Sequence, residues 1–348
     1  MFKRILSFFL VILLLLPVTA YAVDCSAACA IVMDAQTNEV LYRKNINEKR
    51  SIASTTKIMT ALIACESGRL NETVSITFDM VNTFGTLLGL RENDEITLRD
   101  LVKGMLLPSG NDAANATALF LGGSFEGFAE MMNVRAAQLG MANSFFVTPS
   151  GLDEGNHHST AYDMALLASA AMNNANFAQI CAEKSSDVVI NGKKQTIYNH
   201  NKLLLKLDDC VGIKTGYTDK AGRCLVSAVK RGGNTLVCVT LNDADDWNDH
   251  INLYSACFDM YSEEELTQSL QLPIVGAEQS SIKVLYTKTV SVLSADDIKI
   301  EIYALPFVYS PINKGDVLGR AIIKYKDKEI AVADIVAAED VEYYGEQV

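Results

Sequence analysis

The chain has 348 residues, of which 49% are hydrophobic, and it carries a formal net charge of −12 at neutral pH. An acidic chain of this kind is a poor partner for nucleic acid, because phosphates require a basic surface. Its length exceeds what one hydrophobic core comfortably supports, so two domains are predicted.

The N-terminus has the pattern of an export signal. Lys3 and Arg4 precede an apolar run over residues 5–16, and an Ala-Tyr-Ala site ends at Ala22. This arrangement is typical of a secretory signal peptide, and the run is shorter than the roughly 20 residues of a membrane-spanning helix. We therefore predict a signal peptide over residues 1–22, cleaved near Ala22. The protein is then exported to the cell wall or cell surface, or secreted.

The elements that follow are predicted from hydrophobic periodicity and turn residues. Two β-prone runs around a polar turn predict a first hairpin, over 28–35 and 40–42. Helical spacing of apolar residues predicts helices near 54–65, 98–107, 111–121, 125–139, 162–173 and 247–262. From residue 187 the hydrophobic periodicity becomes that of β-strands, and the predicted strands include 211–216, 223–230 and 235–241. Short alternating runs over 272–348 predict a small all-β domain.

Cysteines and one acidic cluster allow more than one interpretation. None of the eight cysteines lies in a C-x-x-C pair, so neither a zinc site nor a thioredoxin-like motif is indicated. In an exported protein Cys25 and Cys29 are close enough in sequence to pair, but buried apolar thiols explain the cysteines equally well. Four acidic residues lie at the start of the helix predicted near 247–262: Asp243, Asp245, Asp246 and Asp249. For this cluster a solvated helix start is favoured over calcium binding.

Ser54 and Lys57 stand at the predicted start of the first helix, three positions apart and therefore on one face. A serine hydroxyl is a weak nucleophile that needs a base. A lysine serves as that base only when burial or a nearby cation lowers its pKa, and Lys214 could supply the cation. Alone, Ser54 would be interpreted as a helix N-cap. Two further motifs make it the predicted nucleophile.

The second and third motifs are Ser109-Gly110-Asn111, between two predicted helices, and Lys214-Thr215-Gly216, on a predicted edge strand. In the former, the serine can relay a proton and the amide can hold a substrate carbonyl, although alone the triplet would be an ordinary turn. In the latter, a lysine and a threonine facing a cleft would bind a carboxylate. The glycine would let a substrate backbone approach closely.

Taken together and in this order, the three motifs resemble those of the D-alanyl-D-alanine carboxypeptidases, the low-molecular-weight penicillin-binding proteins. The resemblance also covers 33–35, 40–42, 53–61, 107–116, 149–163 and 214–222. It implies an α+β fold, in which a penicillin-binding/β-lactamase-like transpeptidase domain of antiparallel sheet and helices spans 23–265. A small all-β, sandwich-like domain follows over 272–348.

The resemblance also implies individual roles. The catalytic group comprises the nucleophile, its base and a proton shuttle: Ser54, Lys57 and Ser109. The substrate-binding group orients the peptide, holds its terminal carboxylate and lines the oxyanion hole: Asn111, Lys214, Thr215, Gly216 and Tyr217. The backbone N–H groups of Ser54 and Tyr217 would form the oxyanion hole. Neither a metal nor a cofactor is required.

The implied reaction is removal of the terminal D-alanine from peptidoglycan stem peptides through an acyl-enzyme, with β-lactams trapping the same serine. A D,D-endopeptidase or transpeptidase acting on cross-links would use the same site, and the sequence does not separate these activities well. A serine β-lactamase is disfavoured because no Glu-x-x-x-Asn lies between Ser109 and Lys214. A non-catalytic peptidoglycan-binding module is disfavoured because every motif residue is present.

Two departures from the family pattern stand out. Tyr217 occupies a position that is histidine in many members, which is expected to tune the rate only, since the oxyanion role uses backbone N–H. The acidic end of the chain contrasts with the basic amphipathic helix that commonly follows in the family, and an anionic segment has the wrong charge for a membrane surface. Membrane contact is therefore left open, and we expect a monomer.

Overall fold

A computed structural model describes residues 23–344. The predicted signal peptide over residues 1–22 lies outside the described residues. The strands of the larger part are β1 (Cys29–Asp34), β2 (Val40–Lys44), β3 (Thr73–Ser75), β4 (Glu95–Thr97), β5 (Ser185–Ile190), β6 (Lys193–Tyr198), β7 (Cys210–Thr218), β8 (Gly222–Arg231) and β9 (Asn234–Leu241). The helices are α1 (Lys57–Glu66), α2 (Phe78–Val81), α3 (Leu98–Leu106), α4 (Asn111–Gly122), α5 (Phe125–Gln138), α6 (Ala161–Met172), α7 (Ala175–Cys181), α8 (Leu203–Lys206) and α9 (Asp246–Phe258).

A five-stranded antiparallel sheet in the order β2-β1-β9-β8-β7 organises this part. Successive residues of a strand point to opposite faces, and β1 shows the result: Ile31 and Met33 enter the larger hydrophobic core, while Ala30 and Val32 enter a smaller one on the other face. Helix α6 packs on β1 and β9, and α9 packs on β8 and β9. Strand β7 lies at the sheet edge, as predicted.

The long helices and strands agree with the sequence predictions, whereas several short helices and strands were not predicted. The predicted first helix begins one turn late, because Ala53–Thr56 forms a 3-10 turn and the α-helix starts at Lys57. Helices α2, α7 and α8 and strands β3 and β4 are each seven residues or fewer. Elements this short carry little periodic signal, and packing against the rest of the chain decides them.

The C-terminal strands are β10 (Ser262–Val275), β11 (Ser281–Val292), β12 (Ile298–Ala304), β13 (Val308–Tyr309), β14 (Val317–Tyr325) and β15 (Lys328–Ala337). They form one six-stranded sheet, in the order β12-β14-β15-β11-β10-β13, with a hydrophobic core of its own. The predicted all-β domain is thereby confirmed. Strand β10 runs through the predicted boundary between residues 265 and 272, so the two parts are joined by a continuous strand.

One interpretation of the sequence can be compared with the described residues. All eight cysteines lie within residues 23–344, and each is buried with a free thiol, in agreement with their interpretation as apolar core residues. No helix between residues 23 and 344 is long and apolar enough to cross a membrane.

Candidate active site

The 3-10 turn before α1 places Ser54 and Lys57 together. Lys57 Nζ lies 2.8 Å from Ser54 Oγ. Lys57 is completely buried, whereas Ser54 is partly exposed to solvent. The preceding residue, Ala53, has φ +48°, a left-handed conformation that is strained for a residue with a Cβ. Such strain is retained only where the surrounding structure enforces it, commonly at functional sites.

The contacts of Lys57 are those expected of a proton acceptor. Its Nζ also lies 2.7 Å from Asn111 Oδ1 and 2.8 Å from the carbonyl oxygen of Ser150, two groups that can only accept hydrogen bonds. A neutral amine has two N–H groups and one lone pair. With both N–H groups donated to these oxygens, the lone pair faces the third neighbour, the Ser54 hydroxyl. The geometry therefore suits transfer of the serine proton to Lys57.

The electrostatic surroundings favour the neutral amine. The pKa of Lys57 is well below its ordinary value, chiefly because burial penalises the ammonium ion and further because Lys214 places a second positive charge nearby. Asp112 opposes the shift but does not cancel it. A lysine held in this way is neutral at a pH where an exposed lysine is charged.

Asn111 is oriented by a loop that the sequence did not single out. Its Nδ2 donates to the carbonyl of Phe84 at 2.6 Å, which fixes the amide so that Oδ1 faces Lys57. Both carboxylate oxygens of Asp112 hold the following part of this loop, accepting from the N–H groups of Leu88, Gly89 and Leu90 at 2.7–3.0 Å. Asp112 therefore acts on the site through the backbone that positions Asn111.

The Lys-Thr-Gly motif on edge strand β7 lies against the 3-10 turn. A Cβ on Gly216 would lie 3.1 Å from the backbone nitrogens of both Ser54 and Thr55, so glycine lets the strand approach the nucleophile. Lys214 is almost fully buried, its Nζ donates to the carbonyl of Thr215 at 2.9 Å, and burial lowers its pKa to about 7.

One cleft of about 450 Å³ joins the motifs, and its lining includes Ser54, Ser109, Thr215, Gly216 and Tyr217. Lys202 and His200 line it as well, and burial lowers the pKa of His200. Arg223 and Asp246 also line it and form an ion pair with each other. Lys57 and Asn111 lie behind Ser54, because Lys57 Nζ contacts both Ser54 Oγ and Asn111 Oδ1. The structure thus brings the predicted site residues together.

His157 is a buried residue that sequence reasoning assigned no role in the site. Its Nδ1 accepts from the N–H of Val147 at 3.0 Å, so the proton resides on Nε2, which donates to Thr56 Oγ1 at 2.8 Å. Burial lowers the pKa of His157 to about 4, which keeps the ring neutral. The imidazole thereby links the 3-10 turn to the loop that contains Ser150. No local sequence pattern indicates this contact, because Thr56 and His157 are distant in sequence.

The fold and the paired serine and lysine define a serine hydrolase. A family model described as D-alanyl-D-alanine carboxypeptidase matches residues 17–245, and one described as penicillin-binding protein 5, C-terminal domain, matches residues 263–343. The chain belongs to the D-alanyl-D-alanine carboxypeptidase family.

Individual relatives agree with this assignment. The chain is 30% identical over 337 residues to the D-alanyl-D-alanine carboxypeptidase DacF of Bacillus subtilis, covering 92% of this chain and 87% of the relative. It is 39% identical over 216 residues to DacB2 of Mycobacterium tuberculosis, covering 62% and 74%. The crystal structure of the carboxypeptidase DacD from Francisella tularensis superimposes with a TM-score of 0.66 at 25% identity, covering 94% of this chain and 96% of that one.

Proposed function

We propose that this protein is a serine-type D-Ala-D-Ala carboxypeptidase that removes the terminal D-alanine from peptidoglycan stem peptides. The observation that carries the proposal is the 2.8 Å contact between Ser54 Oγ and the fully buried Lys57 Nζ. Lys57 takes the proton from Ser54, and Ser54 Oγ attacks the carbonyl of the penultimate D-alanine. The peptide C–N bond breaks, terminal D-alanine leaves, and water then releases the shortened peptide from the serine.

The remaining residues bind and orient the peptide in this proposal. Lys214 and Thr215 hold the terminal carboxylate, and the Lys202 side chain also lines the cleft. Asn111 orients the peptide, and Ser109 passes a proton to the departing amine. The backbone N–H groups of Ser54 and Tyr217 stabilise the oxyanion, a contribution that in other enzymes is worth about 3 kcal/mol per donor. The Tyr217 side chain is exposed and is not required for this role.

We further propose the domain division 23–265 and 272–348, supported by the separate hydrophobic cores and by the ranges of the two family models. A secretory signal peptide over 1–22, action at the cell wall outside the cytoplasm, and a monomeric state complete the proposal. β-Lactams are expected to acylate Ser54, because they present a strained amide to the same nucleophile.

The proposal is tested with the protein carrying residues 23–348 and two synthetic substrates. One is a peptide ending in Lys-D-Ala-D-Ala, and the other is a cross-linked muropeptide dimer. We expect D-alanine release from the first, blocked by prior incubation with a β-lactam, and slower cleavage of the second. Faster cleavage of the cross-linked dimer would assign the site to a D,D-endopeptidase. Absence of turnover on both would contradict the proposal.

The rate is expected to depend on pH through both lysines. On the acid side, kcat/KM falls as Lys57, whose pKa is lowered chiefly by burial, gains a proton and can no longer accept one from Ser54. Above pH about 7, it falls as Lys214 loses the charge that holds the substrate carboxylate. The variant Lys214→Arg keeps its charge, so its alkaline limb should move to higher pH while the acid limb stays in place. An alkaline limb identical in both proteins would show that Lys214 does not bind as a cation.

A further inference from the structure

Three potential metal ligands are buried together on the face of the sheet opposite the larger core, away from Ser54. Ligand atoms of Cys25, Asp243 and Asp249 lie within 4.8 Å of one another, and the three residues are 2%, 1% and 6% exposed. Asp243 and Asp249 belong to the acidic cluster for which a solvated helix start was expected. That expectation is wrong for these two residues and also for Asp246, because all three are buried.

Hydrogen bonds compensate the negative charge of the cluster only in part, although the N–H of Asp245 donates to Asp243 Oδ1 at 3.0 Å. Ser26 Oγ lies 2.8 Å from Asp243 Oδ1 and 2.8 Å from Asp249 Oδ2, but a hydroxyl has one proton and can donate it to only one of them. The backbone N–H of Ser26 and the Cys25 thiol also point at Asp249 Oδ2, at 2.7 and 3.6 Å. Asp243 Oδ2 is buried and has no hydrogen-bond partner within residues 23–344.

Basic side chains do not neutralise the pair. The ion pairs formed among residues 23–344 do not include Asp243 or Asp249. Nearby positive groups are engaged elsewhere: Arg223 pairs with Asp246, and Lys44 Nζ donates to the carbonyl of Cys25 at 2.5 Å. Burying two carboxylates without a partner is costly. A cation or a proton between them is therefore required.

We propose that Cys25, Asp243 and Asp249 form a structural site for a divalent metal of the zinc type. One thiolate and two carboxylates are ligands that Zn²⁺ accepts, with a water molecule completing four. Calcium and magnesium fit less well, because they prefer shells made of oxygen. On binding, the Cys25 thiol loses its proton to solvent and the thiolate coordinates the metal.

The site would link the segment that precedes β1 to the turn and helix that follow β9. Cys25 and Ser26 precede β1, whereas Asp249 lies in α9 and Asp243 lies in the turn that leads into it. A metal there would stabilise the native state without taking part in peptide hydrolysis, since it lies outside the cleft that contains Ser54. The inference is independent of the proposed function.

The test uses Co²⁺ and Zn²⁺ with the protein carrying residues 23–348 after treatment with EDTA. Co²⁺ is expected to produce a thiolate-to-metal charge-transfer absorption at one equivalent, which Cys25→Ser abolishes. The matched control Cys65→Ser, at a buried cysteine of α1, should keep it. Excess Zn²⁺ is expected to raise the Tm of the wild type by about 5 °C and that of Asp243→Asn by much less.

Two outcomes would overturn the proposal. The first is a wild-type protein without the charge-transfer band and without a Zn²⁺-dependent rise in Tm, a result that does not depend on any variant folding. The second is an Asp243→Asn protein that is more stable than the wild type, with neither protein responding to Zn²⁺. That result would mean that Asp243 and Asp249 share a proton instead of a metal.

Discussion

Replacing Ser54 with alanine is expected to reduce D-alanine release by about 10,000-fold or more, because the group that forms the acyl-enzyme is removed. Among residues 23–344, the Ser54 hydroxyl forms one hydrogen bond, with Lys57. Removing the hydroxyl leaves the other two partners of Lys57 in place, so the fold should be unaffected. Release is measured by a coupled D-alanine assay, and β-lactam acylation by the mass of the intact protein.

The matched control is Ser51→Ala, three residues earlier and outside the contacts of Lys57. It should retain the wild-type rate and the β-lactam adduct. If Ser54→Ala still acquired one covalent β-lactam, another residue would be the nucleophile. If it released D-alanine at a rate near that of the wild type, the assignment of the reaction to this serine would be wrong.

Gly151→Ala is expected to have the largest effect on stability. Gly151 has φ +83°, and a Cβ there would lie 1.9 Å from the carbonyl oxygen of Ala53 and 2.6 Å from Thr56 Oγ1. The left-handed conformation costs a residue with a Cβ about 1–2 kcal/mol, and the clash adds about 1–3 kcal/mol. The free energy of unfolding should therefore fall by about 3 kcal/mol, which for a protein of this size lowers the Tm by about 6 °C.

The same change should also disturb catalysis. Gly151 directly follows Ser150, whose carbonyl accepts a hydrogen bond from Lys57 at 2.8 Å. Pushing the loop away from the 3-10 turn would break that contact and leave Lys57 without one of the groups that orient its lone pair. We expect kcat of the folded variant, measured well below its Tm, to fall by about 10-fold or more.

Gly155→Ala is the matched control in the same loop. Gly155 also has a positive φ, +51°, but a Cβ there would have no neighbour within 4 Å. This variant should lose about 1 kcal/mol from backbone strain alone and keep its kcat. Urea unfolding and D-alanine release are measured for both variants. Equal losses of stability in the two would refute the packing argument for Gly151.

The sequence by itself determined the features that depend on neighbouring residues. Periodicity predicted the long helices and the successive strands β8 and β9. Alternation predicted the all-β domain. The three motifs were sufficient to indicate serine acyl transfer, because each combines side-chain chemistry with a short spacing that can be recognised without knowing where the rest of the chain lies.

Only the tertiary structure decided how these parts act on one another. The lone pair of Lys57 is aimed at Ser54 by a backbone carbonyl 93 residues away and by an amide 54 residues away. His157 and the burial of Asp243 and Asp249 were likewise invisible to local patterns. The physical reason is that burial, pKa shifts and backbone hydrogen bonds depend on which distant segments exclude water from a group, whereas periodicity and turn preference depend on adjacent residues alone.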